Sequence, residues 1–216
     1  PAPLTIDCFG GQAYVGLVPF LMTDVRPRGL PAVRGLSNFL EVNVRTYVHH
    51  EGRDPGVWFF SLDASNSIAV LIARMWYALA YHKARMMVDP ARAWTPGPVS
   101  EITYRSTRRW PGPRPAECSF RYAPIGSPAP AQIGTLEHFL VERYLLYSCR
   151  GHRLYQGQVH HPPYQVQPAR VDQWGETMLA ALGIARPETP PLIHYANRVD
   201  VQIHGLRSVD TGPATP

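Results

Sequence analysis

The chain has 216 residues, of which 45% are hydrophobic and 17% charged, which indicates a globular protein and excludes a disordered one. It has no apolar run near the roughly 18 residues that a membrane span needs, and its start lacks a signal-peptide pattern. The net charge of +5 comes from scattered arginines rather than a basic tail. The sequence therefore predicts no nucleic-acid partner and no membrane attachment.

The positions of the cysteines and histidines argue against disulfide bonds and metal sites. Cys8, Cys118 and Cys149 are far apart and odd in number, which favours reduced thiols in a cytoplasmic protein over a disulfide framework. The adjacent His160 and His161 face opposite ways on a strand, so they cannot both bind one metal ion. The sequence thus predicts a cytoplasmic protein with no metal site and no cofactor.

The chain opens with two apolar segments, residues 5–9 and 12–22, joined by Gly10-Gly11. Because two glycines accept the positive φ of a tight turn, a β-hairpin is expected. Pro19 indicates the end or the edge of the second strand, since proline cannot donate to a central ladder. Residues 26–35 are predicted to be a loop.

Residues 38–49 form the most informative predicted strand, because apolar and polar side chains alternate along it. One face carries Leu40, Val42, Val44 and Val48; the other carries Glu41, Asn43, Arg45 and Tyr47. The polar face lies either in water or inside a barrel or cleft, and both alternatives stay open. After a turn over residues 51–56, residues 57–62 are apolar on both faces, which predicts a central strand.

A helix is predicted over residues 66–79, with Ser65 as its N-cap. Its apolar side, set by helical spacing, consists of Ile68, Leu71, Ile72, Met75 and Leu79. The stretch that follows alternates, with Tyr81, Lys83 and Arg85 on one side.

The rest of the chain supplies more strands and two more helices. Loops are predicted over residues 89–98 and 124–132, and strands over residues 99–109, 117–123, 152–161 and 192–206. Helices are predicted over residues 134–147 and 171–182, with Gly183 closing the second, and residues 211–216 form a frayed tail. Seven to nine strands joined mainly by short turns predict an α+β, β-rich fold: an antiparallel β-barrel, curled or closed, with about three packed helices in a single domain over residues 1–210.

Lys83 is the only lysine, against 20 arginines. A lysine kept in such a chain is a candidate for chemistry that arginine cannot perform, namely loss of a proton and attack on a carbonyl group. The alternative is a surface lysine without a special role. Burial and a neighbouring cation favour a neutral amine, and Arg45 and Arg85 are the candidate cations. Glu41 either moves protons or pairs with the ammonium group.

Several runs of the chain resemble the YqjF-like family, domain of unknown function 2071. They are residues 6–20, 36–47, 56–64 and 135–144, and the His161-Pro162 segment. They keep their order and cover nearly the whole chain. The resemblance implies membership in a family without an assigned activity.

That family is in turn distantly similar to the acetoacetate decarboxylases, whose fold is a cone-like antiparallel β-barrel with packed helices. Tyr81-His82-Lys83-Ala84 stands where those enzymes have a tyrosine, a proline and two lysines. The resemblance implies that Lys83 matches their Schiff-base lysine and Glu41 their strand glutamate. Ala84 departs from the pattern.

Three functions follow from these residues. The first is an enzyme that forms an imine between Lys83 and a small oxo-acid or aldehyde, for decarboxylation or aldol-type cleavage, with Glu41 moving protons. Its substrate-binding residues would be Asn43, Arg45, Tyr81 and Arg85. The second is a barrel that binds a small molecule in its cavity without chemistry. The third is a structural or partner-binding protein with Lys83 on its surface; a homo-oligomer stays open in each case.

Overall fold

The computed structural model describes residues 3–25, 37–90 and 101–209. These residues contain fourteen strands and three helices. The strands are β1 Leu4–Ile6, β2 Val15–Met22, β3 Phe39–His50, β4 Arg53–Ala64, β5 Tyr81–Asp89, β6 Ile102–Trp110, β7 Glu117–Pro124, β8 Ala129–Pro130, β9 Leu145–Arg150, β10 Arg153–His160, β11 Gln165–Glu176, β12 His194–Ala196, β13 Gln202–Ile203 and β14 Arg207–Ser208. The helices are α1 Ser67–Tyr77, α2 Leu136–Val141 and α3 Met178–Ala181.

A β-rich fold with three helices is confirmed over this part of the chain. The loop predicted at residues 26–35, most of the loop at 89–98 and the tail at 211–216 lie outside the described residues. No helix within the described ranges is long and apolar enough to cross a membrane.

All strands belong to one sheet, whose main path runs β12-β11-β7-β6-β5-β4-β9-β10-β13. Most pairs are antiparallel, but β4 pairs in parallel with both β5 and β9. The expectation of a wholly antiparallel sheet is therefore wrong at β4. Between β4 and β5 the reason is α1, which connects the two strands as a crossover helix does, so that both run in the same direction. The terminal strands of the path do not pair with each other in the described residues, so closure into a barrel is not confirmed.

The first two strands lie end to end along one edge of β3. Gly10 and Gly11 have positive φ, and Phe9 and Gln12 form the bridge that closes the predicted turn. However, β1 and β2 do not form a hairpin, since β1 pairs with β3 near His50 and β2 pairs with β3 between Phe39 and Thr46. β2 has no other partner in the described residues, which confirms the edge position inferred from Pro19.

α1 begins one residue later than predicted. Asn66 is the N-cap, and its Oδ1 accepts hydrogen bonds from the backbone N–H groups of Ile68 and Ala69 at 2.9 and 3.1 Å. The prediction of Ser65 as the N-cap is wrong, because its Oγ accepts a hydrogen bond of 2.9 Å from the backbone N–H of Leu40 on β3. Both residue types are good caps, so local sequence could not separate them.

Asn66→Ala is expected to lower the free energy of unfolding by about 1 kcal/mol, because two N–H groups at the start of α1 lose their acceptor. Urea unfolding followed by circular dichroism measures the change. Ser67→Ala is the matched control, since this exposed neighbour is not the cap, and it should stay within about 0.5 kcal/mol. Equal losses in the two variants would contradict the assigned cap.

The predicted apolar side of α1 is not its packed side. Ile68, Leu71 and Met75 are each more than half exposed, at 51%, 52% and 55%. Instead, Val70 is buried against Phe39 and Ala64. The helix therefore rests on the sheet through a narrow contact beside β3 and β4.

The other two helices are shorter than predicted. α2 ends at Val141. The last part of the predicted helix, residues 145–147, belongs to β9, and Leu146 and Tyr147 pair there with the central strand β4. The first half of the third predicted helix belongs to β11, and helical structure in this stretch is limited to α3. Gly183 does follow the last helix with positive φ, as expected.

Both faces of β3 are buried, which answers the question that its alternation leaves open. Val42 and Val44 belong to the largest apolar cluster, together with Ile102 and Tyr104 of β6. The opposite face, here called the polar face, carries Glu41, Asn43, Arg45 and Tyr47. α1 packs beside one end of it, near Phe39, and α2 packs at the other through Phe139 and Leu140.

Candidate functional site

The candidate site lies where β3, β4 and β5 run side by side. Glu41 is the register partner of Ala64 on β4, and Ala64 is the register partner of Lys83 on β5. Register partners in adjacent strands point to the same face of a sheet, so the three side chains form a row. The outer two Cα atoms are about 10 Å apart, or two strand spacings. The middle residue, Ala64, contributes only a methyl group, which packs against Phe39 and Val70.

Glu41 is a buried carboxyl group with a single recorded hydrogen-bond donor to its side chain. It is 2% exposed, and Tyr81 Oη donates to its Oε2 at 2.9 Å. Burial raises the pKa of Glu41 to about 8; the Tyr81 hydrogen bond opposes this shift, and the charge of Asp63 adds to it. At neutral pH Glu41 is therefore protonated and can donate a proton or a hydrogen bond.

Tyr81 completes this pair. Burial and the neighbouring Glu41 raise the pKa of Tyr81 well above its ordinary value. Both hydroxyl-bearing groups thus stay neutral in the physiological range. A neutral acid pair suits a ligand oxygen that gains negative charge during reaction.

Lys83 is half-buried, on the same face as the acid pair. Its Nζ donates a hydrogen bond to the backbone carbonyl oxygen of Ser65, just before α1. Within the described residues no ion pair joins it to Glu41. The amino group is therefore held at the end of the row, next to the start of α1.

The remaining predicted site residues fall into two groups. Asn43 and Arg45 continue along the polar face of β3, and Asn43 is 3% exposed with a buried Oδ1 that accepts no hydrogen bond in the described part of the chain. Arg45 is half-buried, and its Nη2 donates to the carbonyl oxygen of Leu140 at 3.2 Å. By contrast, Arg85 is exposed to solvent. The structure thus brings Glu41 and Tyr81 into contact, places Lys83 and Asn43 beside them, and leaves Arg85 outside.

An ion pair beneath this row was missed from the sequence. Arg108 donates to Asp63 through Nε and Nη2 at 2.7 and 2.6 Å, and both side chains are fully buried. Burial and the Arg108 charge lower the pKa of the adjacent His82. A signal was present, because Arg108 shares the inward face of β6 with Ile102 and Tyr104. An arginine in that position needs an acidic partner.

The pair joins the two strands that flank β5. The charge of Asp63 is one cause of the raised pKa of Glu41, so this residue belongs to the electrostatics of the site although it faces the other side of the sheet. No three His, Cys, Asp or Glu side chains come together as metal ligands would, in the residues that the structure covers.

Sequence comparison identifies the family of this chain as the domain of unknown function 2071. The chain matches that family, described as "Uncharacterized conserved protein (COG2071)", over residues 1–200, and it belongs to it. A relative, "Uncharacterized protein YqjF" of Bacillus subtilis (strain 168), is 38% identical over 207 residues, which cover 96% of this chain and 81% of the relative. The predicted family is confirmed.

Two solved structures share the fold. An acetoacetate decarboxylase-like enzyme from Sphingomonas wittichii RW1 superposes with a TM-score of 0.57 at 10% identity, covering 97% of this chain and 83% of that chain. The enduracididine biosynthesis enzyme MppR complexed with pyruvate superposes with a TM-score of 0.52 at 13% identity, covering 80% of this chain and 66% of that one, just under two thirds of its length. The similarity to acetoacetate decarboxylase-like structures is therefore confirmed at the level of fold.

Proposed function

We propose that this protein forms an imine between Lys83 and a small oxo-acid or aldehyde, and that it acts as a lyase of the decarboxylase or aldol type. The observation that carries the proposal is the row of Glu41, Ala64 and Lys83, in which a protonated buried carboxyl group faces the only side-chain amine across a methyl group. The fold shared with an acetoacetate decarboxylase-like enzyme and with an enzyme crystallised with pyruvate supports the same class.

The chemistry assigns a role to each group. Lys83 leaves the Ser65 carbonyl, releases a proton to solvent and attacks the carbonyl carbon of the ligand. The ligand oxygen departs as water when the C=N bond forms, taking one proton from Glu41 and the other from the attacking amine nitrogen. The resulting iminium accepts the electron pair of the breaking C–C bond. Carbon dioxide or an aldehyde leaves. Glu41, ionised by the earlier step, takes up a proton from water after decarboxylation or from the ligand hydroxyl group in aldol-type cleavage, and gives it to the carbon that held the broken bond. Water then hydrolyses the imine and releases the product.

Sodium borohydride is expected to trap the imine when the protein is incubated with pyruvate or acetoacetate. Reduction leaves a secondary amine, so the protein gains the mass of the ligand less one oxygen atom. Because Lys83 is the only lysine, peptide mapping can assign the added mass to a single side-chain amine. Lys83→Arg should abolish the adduct, whereas Arg105→Gln, an exposed change on β6, should not affect it. Absence of adduct in the wild type, or an equal adduct in Lys83→Arg, would refute imine formation.

The second candidate function is binding of a small molecule without catalysis. The hydrogen bond from Lys83 Nζ to the Ser65 carbonyl favours it, because a carbonyl acceptor holds a charged ammonium group better than a neutral amine. The exposed Arg85 also supplies no buried cation beside the amine. In this case a ligand would raise the melting temperature and be recovered unchanged.

All three cysteines are free thiols. This supports a cytoplasmic location for either activity, because reduced cysteines persist in that compartment.

A further inference from the structure

We infer that the ligand of this site is an elongated oxo-acid, with a second acidic group that Arg45 binds and a hydroxyl group between its two ends that Asn43 binds. The inference rests on the proposed function, because it takes the row of Glu41, Ala64 and Lys83 as the place where the ligand carbonyl lies. It adds the chemical class of the ligand.

Three side chains on the polar face of β3 mark out the length of the ligand. Glu41, Asn43 and Arg45 occupy alternate positions of the strand. A strand advances about 3.3 Å per residue, so Arg45 lies about 13 Å from Glu41 along the chain and Asn43 lies halfway. The reacting carbonyl and the arginine are thus too far apart for pyruvate, whose carboxylate is bonded directly to its carbonyl carbon.

Arg45 is a half-buried cation without an acidic partner in the described residues. Its recorded contacts are the Leu140 carbonyl oxygen and the face of the Tyr47 ring, 5.7 Å from the guanidinium carbon to the ring centre, while its Nε is buried without an acceptor. Arg143 provides the comparison, because it lies 5.3 Å from the same ring centre but is neutralised by Asp7 at 2.7 Å.

The position of Arg45 leaves its charge available to a ligand. Glu142, an acidic residue just beyond α2, already accepts from the Tyr144 hydroxyl and from the backbone N–H of Tyr164. Gly16 of β2 is the register partner of Arg45, and a Cβ there would lie in ordinary van der Waals contact with Arg45 Cγ, at 3.5 Å. A planar guanidinium group with free donors suits a carboxylate or a phosphate.

Asn43 supplies the second observation. Its side chain is 3% exposed, and its Oδ1 is a buried acceptor without a donor in the described part of the chain. A buried polar atom left unpaired is costly, and a ligand hydroxyl group would satisfy it. From the row outward, the site therefore offers a neutral acid, a hydrogen-bond acceptor and a cation.

The length of the ligand can be tested by borohydride trapping. We expect 2-oxoheptanedioate to reach half-maximal trapping at a concentration about ten-fold or more below that of pyruvate. A gain in affinity of this size is what one charge-assisted hydrogen bond, here from Arg45, contributes. Arg45→Gln should bring the ratio of the two concentrations close to one, whereas Arg105→Gln should keep it. Equal concentrations in the wild type, or a ratio that persists in Arg45→Gln, would overturn the inference.

A second measurement separates this inference from the proposed function. If neither compound is trapped, imine formation fails, but calorimetry with 2-oxoheptanedioate and pyruvate on the wild type still tests the elongated ligand. Binding of the longer compound that weakens ten-fold or more in Arg45→Gln would support the inference. No preference for the longer compound would overturn it.

The hydroxyl group is tested on Lys83→Arg, which cannot form an imine and so leaves the ligand intact. We expect 4-hydroxy-2-oxoheptanedioate to bind more tightly than 2-oxoheptanedioate by about five-fold or more, the value of one neutral hydrogen bond. Adding Asn43→Ala should remove the difference. Adding Ser61→Ala, which deletes a buried unpaired hydroxyl group on the other face, should keep it. Equal binding of the two compounds before either addition would remove Asn43 from the site.

Discussion

Arg108→Met is expected to lower the free energy of unfolding by about 3–5 kcal/mol, because it leaves the carboxylate of Asp63 buried without a partner. Both side chains of the pair are 0% exposed, and two hydrogen bonds of 2.6 and 2.7 Å join them. Neither partner can turn to water when the other is removed. Urea unfolding at pH 7, followed by tryptophan fluorescence, measures the loss.

Two controls show whether the loss comes from the isolated charge. The double variant Asp63→Leu with Arg108→Met removes both charges and should recover much of the loss, because desolvation of a buried pair offsets most of its attraction. Arg170→Met breaks an exposed ion pair with Asp172 and should cost far less, because solvent screens that pair. A cost for Arg108→Met as small as that for Arg170→Met would contradict the argument.

Glu41→Gln is expected to make the protein more stable than the wild type at pH 9, by up to the order of 5 kcal/mol. In the unfolded chain this carboxyl group releases its proton near its ordinary pKa of 4.5, whereas in the folded protein it keeps the proton until about pH 8. The folded state therefore binds more protons than the unfolded state between these values, and the stability of the wild type falls as pH rises through this window. Glutamine does not titrate, and its Oε1 can still accept the Tyr81 hydrogen bond.

Urea unfolding of both proteins at pH 5 and pH 9 tests this expectation. The stability difference between Glu41→Gln and the wild type should be several kcal/mol larger at pH 9 than at pH 5. Glu51→Gln, on the exposed turn after β3, should stay within about 0.5 kcal/mol at both values. The same difference at pH 5 and pH 9 for Glu41→Gln would show that its carboxyl group titrates normally.

The polar face of β3 was predictable because strand geometry fixes it. Side chains alternate along any strand, so the sequence placed Glu41, Asn43 and Arg45 together before their neighbours were known. The edge position of β2 followed from Pro19 for an equally local reason. Local backbone rules of this kind transfer directly from sequence to structure.

Features that depend on distant partners were not predictable. The acid pair of Glu41 and Tyr81 and the ion pair of Asp63 and Arg108 join residues that are 40 and 45 positions apart. Their contact requires the parallel alignment of β4 and β5, which a count of short turns does not reveal. Similarly, the pattern of residues 143–147 suited a helix, but pairing with β4 made Leu146 part of a strand.

The short ladder between β4 and β5 has a consequence for how the molecule responds to a ligand. Within the described ranges, β4 pairs with β5 through Leu62, Asp63 and Ala64 alone, so few backbone hydrogen bonds link the strands from β5 to β12 with those around β4. Local opening of a protein starts where such links are fewest. A molecule bound to both Glu41 and Lys83 would link β3 to β5 across this short ladder. Part of its binding free energy would then oppose the local opening of the sheet between β4 and β5.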